Sequence, residues 1–140
     1  MNSESQIENL DHIGIVVKNI DEHIPFYRDI LKLEYLGIRN VESQKIRTAI
    51  FKIGNGPTMI EVFEPTDPNT SIARFIEKRG EGLHHICFGV KNIEEALEQA
   101  KNNNIELINE TPFIGAKGVQ VAFLHPKSTG KVLTELSELH

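Results

Sequence analysis

Two stretches of this chain carry nearly the same sequence and decide how it folds: LDHIGIVVKNIDEHI at Leu10–Ile24 and LHHICFGVKNIEEAL at Leu83–Leu97. Aligned without gaps at an offset of 73 residues, they are identical at eight of fifteen positions. So many matches in so short a window indicate an internal duplication that covers nearly the whole chain. We therefore predict two related modules, at about residues 10–65 and 83–137, with a short helical connector, together forming a single domain over residues 1–140.

Length and composition narrow the class of protein. A chain of 140 residues, 39% hydrophobic and 25% charged, buries one core of ordinary size. No apolar run approaches the ~20 residues of a membrane span, and the polar, acidic start is unlike a signal peptide, so we expect a cytoplasmic protein with no membrane partner. The net charge of −5 argues against a nucleic-acid partner. Because Cys87 is the single cysteine, a metal would have to bind to histidine and carboxylate side chains.

Each copy of the repeat predicts a strand, a helix and three further strands, which makes an α+β protein. The β-branched runs Ile13–Val17 and Ile86–Val90 precede Asn19 and Asn92, which are typical helix caps. The first helix is predicted from the helical spacing of four apolar residues, Ile20, Ile24, Tyr27 and Leu31, and the second from Ile93, Leu97 and Ala100. The other predicted strands are Glu34–Val41, Ile46–Ile53 and Thr58–Phe63 in the first module and Ile105–Ile108, Val119–Leu124 and Lys131–Leu136 in the second, and Ser71–Arg79 is predicted as the connecting helix.

Histidine and glutamate recur at matched places in the two copies. Since a strand alternates its side chains between two faces, His12 and His85 should lie opposite the large hydrophobic residues that the helices cover. The segments MIEVFEP and LTELSEL align Glu61 with Glu135 at an offset of 74 residues. A buried carboxylate needs a charge partner. Two imidazoles and two carboxylates that meet across the pseudo-twofold axis would satisfy this need by coordinating a divalent cation.

Four segments resemble the vicinal oxygen chelate superfamily of glyoxalases, bleomycin resistance proteins and dioxygenases: LDHIGIVV, IEVFEP, EGLHHICFGVKNIEEA and VAFLHPKSTGKVLTEL. GEGLHHI together with FLHPKSTGKVLTEL is most similar to the methylmalonyl-CoA epimerases of that superfamily. The resemblance spans Leu10 to Leu136. It implies paired βαβββ modules that form a cup-shaped half barrel, a homodimer, and one divalent ion (Co2+, Mn2+, Ni2+ or Zn2+) held at the matching positions His12, Glu61, His85 and Glu135.

The implied activity is a metal-dependent epimerisation of an acyl-CoA substrate. The α-carbon of methylmalonyl-CoA would be inverted by removal and return of a proton through a metal-stabilised enolate. Glu135 is our first choice for one base. The candidates for the second are Glu61, a metal-bound water, and Glu42 if its strand is bent. Some epimerases of this type are thought to draw a second acid/base from the strand after the residue that matches Gln44, but here Lys45–Thr48 contains no carboxylate. Candidates for binding the CoA phosphates are Lys117, Lys127 and Lys131.

Other members of the superfamily leave alternatives open. A glyoxalase I type lactoylglutathione lyase would use the same four ligands and the same proton transfer, so the metal ligands do not separate it from an epimerase. An iron dioxygenase would use two histidines and one glutamate, and Glu61 argues against it. A metal-free drug-binding resistance protein would not need both histidines.

Overall fold

The computed structural model describes residues 5–139, which form two modules of the predicted α+β type. The strands are β1 (Ile7–Val16), β2 (Glu34–Val41), β3 (Ile46–Lys52), β4 (Met59–Pro65), β5 (Gly82–Val90), β6 (Phe113–Ile114), β7 (Gln120–Leu124) and β8 (Thr134–Glu138). The helices are α1 (Ser71–Arg79) and α2 (Ile93–Asn102), and shorter helical turns lie at Ile20–Glu22, Phe26–Ile30 and Pro126–Ser128. Each half of the chain contains one strand, a helical segment and three further strands in this order, and α1 lies between the two halves in sequence.

The chain divides into two compact units, which we call the first unit (residues 12–84) and the second unit (the described residues up to Asp11, with those from His85 onward). The second unit therefore includes the start of the chain. Gln6 fastens this segment, because its carbonyl accepts a hydrogen bond from Lys91 N (2.9 Å) and its side chain accepts one from Asn92 N (3.0 Å). The duplication alone did not predict this contact, because Gln6 lies outside the repeated stretches.

In the first unit the strands are ordered β2-β3-β4-β1. The last pair is parallel, and the other neighbouring pairs are antiparallel. One face of this sheet packs on the first helical turns, forming a buried core of Val17, Ile20, Ile24, Ala49, Phe51 and Val62. The side chains of His12 and Glu61 lie on the other face, as strand alternation predicted.

The second unit repeats this arrangement. Its strands are ordered β5-β8-β7-β6, with β5 and β8 parallel. Helix α2 covers one face and forms a buried core of Val90, Ile93, Ala96, Leu97, Ala122 and Leu136. Asn92 caps α2 by accepting a hydrogen bond from Glu95 N at 3.1 Å, so this cap is confirmed. No helix among residues 5–139 combines the length and the apolar content needed to cross a membrane.

The prediction of one continuous first helix is wrong. Asn19 caps a three-residue turn as expected, but Pro25 has no N–H with which to continue an α-helical ladder. The chain resumes as a wider turn, in which Leu31 N donates to the Phe26 carbonyl five residues back (2.9 Å). Leu31 is consequently turned outward and is 50% exposed.

The predicted strand Ile105–Ile108 is also wrong. It makes irregular contacts with the end of β7 and contributes a single isolated bridge, from Leu107 to Leu124. The ladder stops there because the Asn109 side chain takes the hydrogen bond of Phe123 N (2.8 Å). The third sheet partner in this module is the two-residue strand Phe113–Ile114 instead.

Candidate metal centre

In the first unit, the structure brings His12 and Glu61 together. Strands β1 and β4 run parallel with Gly14 opposite Glu61, so His12, two residues earlier, is a diagonal neighbour on the same face. His12 Nδ1 lies 3.2 Å from Glu61 Oε2. Both residues are buried, with 4% and 6% of their surface exposed. Because Gly14 has no side chain, the space beside the Glu61 carboxylate stays open to the imidazole.

The second unit makes the same pair with His85 and Glu135. Cys87 stands opposite Glu135 in the parallel register of β5 and β8, so it occupies the place that Gly14 has in the first unit. His85 Nε2 lies 3.1 Å from Glu135 Oε1, and the two side chains are 9% and 6% exposed. The rings of Phe123 and His85 pack nearly perpendicular to each other at a centroid distance of 5.7 Å. Each predicted histidine thus meets the glutamate of its own module.

The chemistry of these four side chains fits a divalent metal. Each unit holds one imidazole and one carboxylate, both nearly excluded from water, and burial makes an isolated carboxylate costly. Imidazole nitrogens and carboxylate oxygens are suitable donors for Zn2+, Mn2+, Co2+ and Ni2+. The donor set is therefore compatible with the group that the resemblance implies, and the ligand roles stay a prediction.

Sequence reasoning missed a second matched pair of glutamates on the same strands. Glu64 Oε1 accepts from Ile20 N at 2.7 Å, and Glu138 Oε2 accepts from Ile93 N at 3.0 Å. Each carboxylate fastens the first turn of a helical segment to the strand that carries the predicted ligand. Their signal was present in the sequence, since both lie three residues after Glu61 or Glu135 in a repeated E-x-x-E pattern.

Two of the three lysines predicted to bind phosphate already have carboxylate partners. Lys117 Nζ contacts the Asp11 carboxylate in a pair that is mostly buried. Lys127 Nζ contacts Glu106, and this hydrogen bond lowers the pKa of the Glu106 carboxyl below its usual value. A phosphate would have to compete with these carboxylates for the two ammonium groups.

Comparison with known proteins places these features in a family. A family model described as the Glyoxalase/Bleomycin resistance protein/Dioxygenase superfamily matches residues 11–123. The chain is 35% identical to an ethylmalonyl-CoA/methylmalonyl-CoA epimerase of Cereibacter sphaeroides, over 95% of this chain and 99% of the relative.

Solved structures agree with this placement. The crystal structure of methylmalonyl-CoA epimerase from Mycobacterium tuberculosis has a TM-score of 0.93 and 30% identity, covering 100% of this chain and 93% of that one. The hypothetical protein BH1468 from Bacillus halodurans C-125 has a TM-score of 0.89 and 48% identity, covering 94% of both chains. The fold is therefore the one that the sequence resemblance implied.

Proposed function

We propose that this chain, which belongs to the Glyoxalase/Bleomycin resistance protein/Dioxygenase superfamily, is a metal-dependent epimerase that inverts the α-carbon of methylmalonyl-CoA. The observation that carries the proposal is the repeated His–Glu pair, with distances of 3.2 and 3.1 Å, at the same register in both units. Support for the substrate class comes from the epimerase relative of Cereibacter sphaeroides, which matches over nearly its full length.

In this proposal His12, Glu61, His85 and Glu135 together hold one divalent ion, with Co2+, Mn2+, Ni2+ and Zn2+ all suited to the donors. When bound, the ion supplies Lewis-acid stabilisation of negative charge on the substrate oxygens. Because the two histidine side chains are at least nine-tenths buried, both would bind the ion in a setting that excludes most water.

Glu135 is the proposed base. Its carboxylate takes the proton from the α-carbon, and the electron pair of the broken C–H bond moves onto the thioester carbonyl oxygen. His85, 3.1 Å away, restricts the orientation of this carboxylate. Glu61 or a water molecule donates a proton to the opposite face of the same carbon. Proton exchange with water then restores both carboxyl groups for the next turnover.

The family resemblance also implies an assembly of two chains. We propose a homodimer that works in the cytoplasm without a nucleic-acid partner. Analytical ultracentrifugation of the purified protein tests the dimer, and a monomer at micromolar concentration would contradict it.

The deciding experiment is hydrogen exchange at the α-carbon. The metal-loaded protein is incubated with one epimer of methylmalonyl-CoA in deuterated water, and deuterium content and chirality are followed together. We expect incorporation with inversion, and none after the metal is removed. The same preparation is given methylglyoxal with glutathione. Rapid turnover of that mixture with an inert CoA ester would favour the lactoylglutathione lyase alternative and overturn the proposal.

A further inference from the structure

Thr48 lies on the same sheet face as the His12–Glu61 pair. In the antiparallel register of β3 and β4, Ile50 stands opposite Glu61 and Thr48 stands opposite Phe63. Ala49 faces the other way and belongs to the buried core. Since residues alternate along a strand, the Thr48 side chain points to the face that carries Glu61, two residues from the position directly beside it.

The Thr48 hydroxyl is buried and makes no hydrogen bond with the described part of the chain. The residue is 0% exposed, and among residues 5–139 its Oγ1 has no hydrogen-bond partner. A buried hydroxyl that makes no hydrogen bond has lost its contacts with water and gained nothing in return, so it lowers the stability of the ligand-free protein. Such an atom in a native protein points to a partner that residues 5–139 do not supply, and a bound ligand is one such partner.

The second module shows that the fold itself does not need this hydroxyl. In β7 and β8, Phe123 stands opposite Glu135 and Val121 stands opposite Ser137. Val121 is therefore the structural counterpart of Thr48, and it too is buried, with 3% exposed. Valine has nearly the size and shape of threonine but lacks the hydroxyl. The duplicated module thus fills the same position with carbon alone.

We propose that the Thr48 hydroxyl binds the substrate, by donating a hydrogen bond to the free carboxylate of the acyl group. This inference rests on the proposed function. A threonine hydroxyl cannot act as a base near neutral pH, so Thr48 positions the substrate and does not take its proton. The carboxylate is favoured over the thioester oxygen because Arg39, directly opposite Thr48 in β2, adds a positive charge on the same face. The β-branched side chain is stiff at χ1, which fixes the hydroxyl before the substrate arrives.

The test replaces Thr48 with valine, the residue that the second module uses, and with serine, which keeps the hydroxyl. Calorimetric binding of methylmalonyl-CoA to the metal-loaded protein should weaken at least ~10-fold in Thr48→Val, the size expected for a lost hydrogen bond to a charged group. Binding of propionyl-CoA, which lacks the carboxylate, should change less than about twofold on the same grounds. Thr48→Ser should recover most of the affinity. The melting temperature of metal-free Thr48→Val should stay the same or rise.

Thr70→Val is the matched control, because the Thr70 hydroxyl has a partner and accepts from Ala73 N at the start of α1 (3.2 Å). This variant should lose stability and keep the affinity for both CoA esters. Unchanged methylmalonyl-CoA affinity in Thr48→Val, or an equal loss for both esters, would overturn the inference while the proposed function stands. Failure of the unaltered, metal-loaded protein to bind methylmalonyl-CoA would overturn both.

Discussion

Replacing Glu135 with glutamine separates a base from a metal ligand. The two side chains have the same shape, and this site allows almost no relaxation because the Glu135 side chain is 6% exposed. In the unaltered protein His85 Nε2 lies 3.1 Å from the Glu135 carboxylate. The carbonyl oxygen of a carboxamide can still contact this nitrogen and bind a metal. It has almost no capacity to accept a proton. Glu135→Gln should therefore keep the contacts of the native side chain and lose the ability to accept the substrate proton.

The substitution should reduce the reaction rate far more than the stability of the fold. Removing a general base costs ~10²-fold to 10⁴-fold in rate, so we expect at least a 100-fold loss, which equals about 2.7 kcal/mol of barrier height at ~1.36 kcal/mol per tenfold. The free energy of unfolding should change much less than the height of the reaction barrier. A hydrogen bond to a charged group contributes roughly 1 kcal/mol more than a neutral one, and removing a buried charge offsets part of that loss. The free energy of unfolding of the metal-free variant should fall by no more than about 1 kcal/mol.

Glu61→Gln is the matched variant, since Glu61 makes the equivalent contact of 3.2 Å with His12. It should keep the metal and a good part of the activity. Metal content by elemental analysis, deuterium exchange into methylmalonyl-CoA and urea unfolding are measured on both variants. An active Glu135→Gln beside an inactive Glu61→Gln would show that the base lies in the first module, and our assignment would be reversed.

Three further predictions follow from the structure. At free metal 100-fold above its Kd the folded state gains about 2.7 kcal/mol, so chelation should lower the melting temperature by roughly 10 °C, and replacing either predicted histidine ligand with alanine should abolish the difference. Glu64→Ala and Glu138→Ala should each lower the free energy of unfolding by about 1–3 kcal/mol, because each leaves the first backbone N–H of a helical segment without its acceptor. The control is Glu42→Ala, at an exposed position, and equal urea midpoints for all three variants would contradict the prediction. Lys127 lowers the pKa of Glu106. The pair should therefore stabilise the fold above the unfolded-state pKa of about 4.3 and lose that contribution as the pH falls through the lowered value. The urea midpoint should thus fall less steeply with decreasing pH in Lys127→Gln than in the unaltered protein, between about pH 6 and pH 3.

Local pattern was sufficient where one physical rule decides the outcome. Alternation along a strand, together with the repeat, predicted which faces of the two sheets carry His12 and His85. The sequence pattern gave a wrong prediction where two physical rules favour different local structures. The spacing from Ile20 to Leu31 fits an α-helix, but the missing N–H of Pro25 interrupts the ladder, and the chain continues with a bond to the carbonyl five residues back. Which turn replaces the helix depends on packing that local spacing does not contain.

Contacts between distant residues account for the other omissions. Lys117 and Asp11 are 106 positions apart, and neither residue lies in a periodic pattern that points to the other. The Glu64 and Glu138 contacts are different, because their matched spacing from Glu61 and Glu135 was visible. Their role was not, since a strand-end carboxylate is ordinarily solvated, and only the fold shows each one facing the first backbone N–H of a helical segment.

The duplication explains the symmetry of the predicted ligands but cannot explain how the proposed chiral substrate would be recognised. Both modules supply the same pair of groups at nearly the same distance, so this pair alone does not orient a carbon that bears four different substituents. Orientation has to come from positions where the modules have diverged. Two such positions lie on the faces that carry the glutamates: Ile50 against Phe123 beside each glutamate, and Thr48 against Val121 one step further along the strand. The Thr48 position differs in hydrogen-bonding capacity, so it is where a polar substituent would be distinguished from an apolar one.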